Sequence, residues 1–310
     1  MKDTRAIEIV FWLLPLAAFF LLPGYLVLGS QILIVSLFAM SLDLLLGYAG
    51  IVSLGHAAFF GLGAYTAGLL ASHGWGEPLT GLLAAAIVSA IFGFIVSFLV
   101  VRGEDLARLM VTLGVGLLLF EAANRAAFIT GGVDGLSGVT MWKLFGVFSF
   151  DLAGKTAFLY AYGVLLLVFL VLRRMMNSPF GLSLKGIREN RKRMPAIGAP
   201  VNRRLVAVFT LGASVAGIAG ALLAQTTQFV GLDTLSFERS ADLLIMLVLG
   251  GAGRLYGAVV GTLIFMVAQD YLSGINPVYW QFWLGLLLVL FVFFARGGVL
   301  GALEVLWKRR

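Results

Sequence analysis

Residues 31–72 read QILIVSLFAMSLDLLLGYAGIVSLGHAAFFGLGAYTAGLLAS. Two apolar runs, 31–46 and 54–72, flank a short stretch rich in glycine and polar residues, Gly47-Tyr48-Ala49-Gly50 followed by Ser53, Gly55 and His56. A helix that crosses a bilayer needs roughly 20 apolar residues, with a range of about 17–25. Both runs meet or approach that length, and the interruption between them is poor as uninterrupted helix. Outside this stretch the same pattern recurs.

Further apolar segments lie at about 7–23, 80–101, 106–128, 156–173, 204–226, 255–272 and 278–296, with a shorter one at 240–253 that runs into Gly250-Gly251-Ala252-Gly253. Of the 310 residues, 61% are hydrophobic and 12% charged, where a soluble domain carries about 25% charged residues. A water-soluble fold of this length has no means of burying so much apolar surface, so the missing solvent is lipid. No polar stretch is long enough to form a separate domain. The expectation is a single all-α transmembrane domain over 1–310, a polytopic helical bundle of eight to ten crossings with ten preferred. The 240–253 segment is expected as a half-helix or a re-entrant segment covered by protein or facing a water cavity. The first apolar run, preceded by Lys2 and Arg5, is read as an uncleaved first crossing, because comparable segments follow it throughout.

Charge sets the orientation. Residues 173–204 hold nine basic side chains against the single acid Glu189, net +8 in one loop, while the whole chain is +7. Short loops rich in Lys and Arg stay in the cytoplasm. Ten crossings put this loop, the N-terminus (Lys2, Arg5) and the C-terminus (Lys308, Arg309, Arg310) on the cytoplasmic side together. They leave 131–155 and 229–242, which have no positive excess, facing outward.

Cysteine is absent and the two histidines, His56 and His73, are far apart. That excludes thiolate sites and disulfides, and no metal site is expected. No catalytic set converges, so an enzyme is not expected. Glycines within the apolar segments, notably Gly257-x-x-x-Gly261 and the run Gly212, Ala216, Gly220, are faces for close helix packing.

The candidates for function are the polar and glycine interruptions. Asp43, Gly47, Gly50, Ser53, His56, Gly250 and Gly251 are candidate pathway or gating residues, since transporters place broken helices at the substrate path. The rival reading is a tight interhelical packing turn. Buried ionisable groups in lipid are costly and so draw attention. Asp43 reads equally as structural anchor or gate, His56 as an interior hydrogen-bonding group rather than a proton relay. Glu121 and Arg125, spaced i,i+4, are expected to pair on one helix face; Asp242 is a further intramembrane acid. The short similarity of Gly47–Gly50 to Gly250–Gly253 hints at an internal repeat with both copies on the cytoplasmic side. In the basic loop, Pro179 and Pro200 bracket a stretch with Leu182, Leu184, Ile187 and Met194, consistent with a short amphipathic helix lying on the bundle. That loop reads either as a segment held to anionic lipid by its charges or as a docking surface for a cytoplasmic partner. A phosphate-binding G-x-x-x-x-G-K-[ST] loop is lacking: the near match at 149–156 has Ser149 in place of the first glycine and no strand before it. Any ATP and magnesium would have to be bound by another subunit. A self-sufficient ion-coupled transporter would have only Asp43, Asp242 and His56 from which to build a coupling site.

The stretch from Leu42 to Thr66, LDLLLGYAGIVSLGHAAFFGLGAYT, closely resembles the signature of LivM-type permeases of branched-chain amino acid ABC importers. Two further segments resemble that family in the same order, Ser178-Pro179-Phe180-Gly181 through Ile187-Arg188-Glu189-Asn190 to Gly198, and Leu247–Gly261, and Gly131–Gly138 also resembles its glycine-rich outward loop. The resemblance spans about residues 30–296. It implies a permease subunit importing amino acids, branched-chain ones first, with urea, amides or other small carboxylates as alternatives. It further implies a second, LivH-type permease, two cytoplasmic ATPase subunits and an external or periplasmic solute-binding protein, in a bacterial or archaeal plasma membrane; no nucleic acid is involved. The loop at about 174–203 then corresponds to the ATPase-coupling loop, with Pro179, Gly181, Ile187, Arg188, Glu189, Arg191 and Gly198 at its matching positions. Pro195 and the Arg191-Lys192-Arg193 cluster depart from the helix-friendly residues expected there.

Overall fold

The computed structural model describes residues 2–151, 153–294, 297–299 and 301; the basic residues 308–310 and the last two residues of the 278–296 segment lie outside them. The described residues form twelve α-helices: α1 (Lys2–Leu21), α2 (Leu26–Asp43), α3 (Ala57–Ser72), α4 (Pro78–Arg102), α5 (Asp105–Arg125), α6 (Ala127–Thr130), α7 (Lys155–Met176), α8 (Pro179–Glu189), α9 (Val201–Thr227), α10 (Phe237–Gly250), α11 (Leu255–Ile275) and α12 (Trp280–Phe294). Extended pairing among them is confined to two isolated bridges, Leu136 with Val230 and Leu144 with Phe148. The chain is an all-helical, multi-pass membrane protein.

Six helical stretches among the described residues are long and apolar enough to cross a membrane: Pro23–Tyr48, Pro78–Arg102, Leu106–Arg125, Lys155–Met176, Val201–Thr227 and Leu255–Ile275. Three shorter apolar helices, Val10–Leu21, Ala57–Ser72 and Trp280–Val289, accompany them. The preferred count of ten is not confirmed. The reason is the breaks: α10 has 14 residues, a rise of about 21 Å at 1.5 Å per residue against a hydrocarbon core of about 30 Å.

At the centre lies α9, packed along α3 and α4 on one side and α2 on the other; α2 in turn packs on α7 and α11, and α10 on α11. Lipid gives apolar helices no hydrophobic reason to associate, so contact depends on close approach of small residues. That is what the sequence supplies. A methyl group on Gly63 would overlap the backbone of Gly217, and one on Gly220 would overlap the Phe60 carbonyl. The opposite face of α4 is a stripe of large side chains, Leu83, Ile87, Ile91, Ile95 and Leu99, each more than half exposed. An apolar surface of that kind on a monomer marks a lipid or protein contact.

The connections gather at two ends. At one, Trp142 N–H donates to the Gly76 carbonyl at 2.8 Å and Leu136 N–H to the Val230 carbonyl at 2.8 Å, tying the long 131–154 segment to its neighbours. At the other, α8 packs against α7, α9 and the turn that follows α2, and the candidate site is there.

Candidate functional site

The site is built on two interrupted helices. Past Asp43, α2 widens into a π-turn over Leu44–Tyr48. Gly50, at φ +70°, then takes the left-handed conformation that lets the chain leave the helix and run non-helically to His56. Backbone that is not helical survives at membrane depth only where its polar groups find partners in the protein. Here Ile51 N–H donates to the Leu45 carbonyl at 2.8 Å, Leu54 N–H to Thr112 Oγ1 of α5 at 3.3 Å, and Ala57 N–H to Ser240 Oγ of α10 at 2.9 Å. Side chains from two other helices therefore close the gap that the glycines open. Thr112 and Ser240 were not among the sequence candidates; isolated hydroxyls in apolar helices carry no signal of their partner.

The second interruption follows α10, at Gly250–Gly253, and the two interruptions touch. Asp43, fully buried, accepts a hydrogen bond from Gly253 N–H on Oδ1 at 2.6 Å. The Tyr48 hydroxyl is hydrogen-bonded to the backbone of Leu255. Asp43 and Tyr48 thus occupy the N-terminal end of α11, where backbone N–H groups lack partners within their own helix and the helix dipole favours an acid. A methyl group on Gly47 would overlap Asp43 Oδ1 and the backbone of Gly253. Gly250 lies with equal closeness on the Gly257–Gly261 face, and Gly298 lies on Gly251. Asn at position 43 keeps an acceptor for Gly253, whereas Leu leaves that N–H buried and unpaired. Asp43→Leu is therefore expected to cost about 1–3 kcal/mol and Asp43→Asn much less; thermal unfolding of the two purified variants checks this.

Beneath the junction lies α8. Ser178 Oγ accepts from Phe180 N–H at 3.2 Å and Pro179 occupies the first helical position, so the helix starts where its sequence dictates. Gly181, Leu184 and Ile187, spaced three residues apart, are buried against the bundle. Leu182 belongs to the other face and is 63% exposed, a departure from the expectation that grouped it with Leu184 and Ile187; it lies about 200° around the helix from Leu184. Lys185 and Glu189 share that outer face, although the Lys185 ammonium reaches 5.6 Å from the Tyr48 ring. Arg188 turns inward. Its guanidinium donates to the Gly47 carbonyl, its stem packs against Gly50, and it is the cation whose field reaches Asp43. Past Glu189 the Arg191-Lys192-Arg193 cluster forms a turn, Arg191 donates to the Val101 carbonyl at 2.7 Å, and a short 3-10 turn over Met194–Ile197 ends at Gly198, φ +79°.

Seven of the sequence candidates fall into this junction or against it: Asp43, Gly47, Gly50, Gly250, Gly251, Ile187 and Arg188. Gly253, Tyr48 and Lys185 belong there too and were missed. Ser53 and His56 are fully buried on the α3 side. His56 Nε2 lies 2.8 Å from Ser41 Oγ, and its ring stacks on Phe38 with centroids 5.7 Å apart. Because Ser41 donates its one proton to the Phe38 carbonyl at 2.5 Å, Nε2 of His56 is the donor in that pair. Glu121 and Arg125 stand elsewhere, paired at 2.6 Å on an exposed face of α5; Asp242 is partly buried in α10. Among the described residues no three His, Cys, Asp or Glu side chains are grouped to hold a metal ion.

The arrangement is two helix breaks locked to one another, with a surface helix hydrogen-bonded through Arg188 to the first of them. Comparison with known proteins gives it a family. The sequence model of the branched-chain amino acid transport system permease component matches residues 25–292. The chain belongs to this family. Its relatives include the high-affinity branched-chain amino acid transport system permease protein LivM of Salmonella typhimurium, 30% identical over 297 residues that cover 88% of this chain and 69% of the relative. LivM of Escherichia coli (strain K12) is 29% identical with the same coverage. LivH of Escherichia coli (strain K12), a permease protein of the same kind of system, is 23% identical over 87% of this chain and 92% of its own length. No solved structure matches. Within the family's span lie both breaks, α8 and most of α12.

Proposed function

We propose that this chain is the translocating permease of an ATP-binding-cassette importer, carrying amino acids, branched-chain ones first, inward across a bacterial or archaeal plasma membrane. Energy comes from separate ATPase subunits, and a second LivH-type permease and an external solute-binding protein complete the assembly. The 174–203 loop and both termini face the cytoplasm, a placement supported by the net charge of +8 over residues 173–204. The observation that carries this reading is α8: a short amphipathic helix, seated by Leu184 and Ile187, that offers Leu182 and Lys185 outward and joins Arg188 to the broken helices inward. A push delivered to its outer face has a direct mechanical route to the two breaks. Because the binding protein sets selectivity in such systems, urea, amides and other small carboxylates are the alternative cargoes. An ion-coupled carrier is less well supported, since Asp43 is engaged by Gly253 N–H.

Two basic residues of the coupling loop, Arg188 and Arg191, both bond to the bundle. The exposed apolar residues Leu182 and Ile197 are better anchors for the ATPase. Leu182→Asp with Ile197→Asp is expected to lower ATPase co-purification at least tenfold, the range of truncating interface anchors worth about 1–2 kcal/mol. Mutating the partner ATPase's phosphate-binding lysine should abolish uptake while leaving the complex whole. Undiminished ATPase recovery with the double Asp variant, or uptake by this chain alone driven by an ion gradient, would overturn the reading.

A further inference from the structure

Between α4 and α9, at the same end of the bundle as α8, the surface opens into a groove of about 780 Å³. Its walls are apolar: Phe94 and Phe98 from α4, Val206 and Ala207 from α9. The one hydroxyl within it, on Thr210, is already spent on the Val206 carbonyl at 2.9 Å. At its mouth the character reverses. Arg102, the last residue of α4, and Arg203, in the first turn of α9, both line it. A second hollow of about 380 Å³ continues from the mouth, sharing Asn202 and Arg203 with the groove and adding Arg191. No acidic residue lines either hollow. Neither Arg102 nor Arg203 has a bonded partner among the described residues, whereas Arg191 is anchored to the Val101 carbonyl, which lies on the groove's own wall.

The groove also sits beside the exposed apolar stripe of α4, a surface that lipid can reach. Water is a poor occupant of walls this apolar. An uncharged lipid tail fits the groove but makes no use of the two exposed guanidinium groups at its mouth. An acyl chain attached to an anionic headgroup satisfies both ends: the chain lies against Phe94, Phe98 and Ala207, and the phosphate meets Arg102 and Arg203, which present the planar fork suited to phosphate oxygens. Basic pockets between membrane helices at the cytoplasmic surface recognise acidic headgroups by the same physics.

We propose that the α4–α9 groove is a binding site for one anionic diacyl phospholipid. The site abuts the coupling region: Val101 and Arg102 end α4, and Arg191 follows α8 by two residues. The inference that the lipid belongs to the cytoplasmic leaflet rests on the orientation argued above, but binding itself does not.

The test uses the purified permease complex, stripped of lipid in detergent and titrated with phosphatidylglycerol or phosphatidylethanolamine, bound lipid being counted by native mass spectrometry. This measurement is blind to sidedness and to transport, so it can fail or succeed independently of the proposed function. Wild type should retain phosphatidylglycerol in preference to phosphatidylethanolamine. Arg102→Gln with Arg203→Gln should lower that preference by about 25-fold, since each basic group near an acidic lipid contributes about fivefold. Ala207→Phe, which fills the groove and leaves the charges in place, should lower retention of both lipids. Because the chain has no cysteine, a single cysteine at position 207 gives a clean cross-linking site. Equal phosphatidylglycerol retention by the Arg102→Gln/Arg203→Gln variant would overturn the proposal. So would efficient cross-linking from position 207 to the second permease, which would make the groove a subunit interface.

Discussion

Alanine at Gly47 is expected to abolish most uptake and to lower the melting temperature of the purified protein by about 5 °C or more, against a rise or no change for alanine at Gly163. The two substitutions add the same methyl group to glycines in helical backbone. At Gly163 nothing lies within reach of the added atom, and alanine in a helix is favoured over glycine by about 0.5–1 kcal/mol. At Gly47 the methyl group meets the Asp43 carboxylate and the Gly253 main chain. Main chain cannot rotate away as a flexible side chain can, so the two breaks must part. Overpacking of this kind costs about 1–3 kcal/mol, more where the neighbour cannot yield, and parting them also strains the Asp43–Gly253 hydrogen bond. Gly253→Ala should behave similarly for two reasons: it stands at φ +89°, and a methyl group there would lie 2.9 Å from the Arg188 guanidinium and 3.1 Å from the Gly47 carbonyl. Melting curves that leave Gly47→Ala indistinguishable from Gly163→Ala would remove the close contact from the account.

The long helices and the places where they fail were legible for one physical reason: both are written in local composition. The run 80–101 became Pro78–Arg102, 204–226 became Val201–Thr227 and 255–272 became Leu255–Ile275, because apolar length alone decides whether a segment tolerates lipid. Both breaks were marked by glycine clusters, and positive-φ glycines stand in each, Gly50 in the first and Gly251 and Gly253 in the second. What composition does not encode is who meets whom across the bundle. Asp43 finds Gly253, 210 positions along the chain, through a backbone N–H that every residue but proline possesses, so no side-chain complementarity announces it. Nine basic residues between 173 and 204 look alike in sequence. Only the seating of α8 selects Arg188 to turn inward, and that seating follows from a three-residue spacing of Gly181, Leu184 and Ile187 against which Leu182 is out of phase. The spacing was present in the sequence; the assumption that every apolar residue of the segment faces the bundle concealed it.

That inward turn of Arg188 yields the second large effect. Arg188→Gln should leave ATPase co-purification near the wild-type level while ATP-driven uptake by the reconstituted complex falls at least tenfold, a loss of about 1.4 kcal/mol of coupling. The reasoning begins with what the residue touches. Its bond to the Gly47 carbonyl is charge-assisted, a class worth about 1.5–3 kcal/mol. It also places a cation at the C-terminal end of α2, where the helix dipole favours one. Asp43, on the preceding turn, is held at the start of α11. A displacement of α8 therefore reaches α2 through Arg188, and α11 and the break after α10 through Asp43, with no looser segment between. Glutamine is shorter and uncharged, so α8 stays seated by Leu184 and Ile187 but loses its grip on the first break. Disrupting the outer face gives the opposite signature, in which the ATPase is lost and uptake falls for want of a motor. Since Lys cannot reproduce the guanidinium fork, Arg188→Lys should restore uptake only in part. Two results would refute the lever: full uptake with Gln, or loss of the ATPase and uptake together in that variant, which would make the inner face of α8 part of the docking surface.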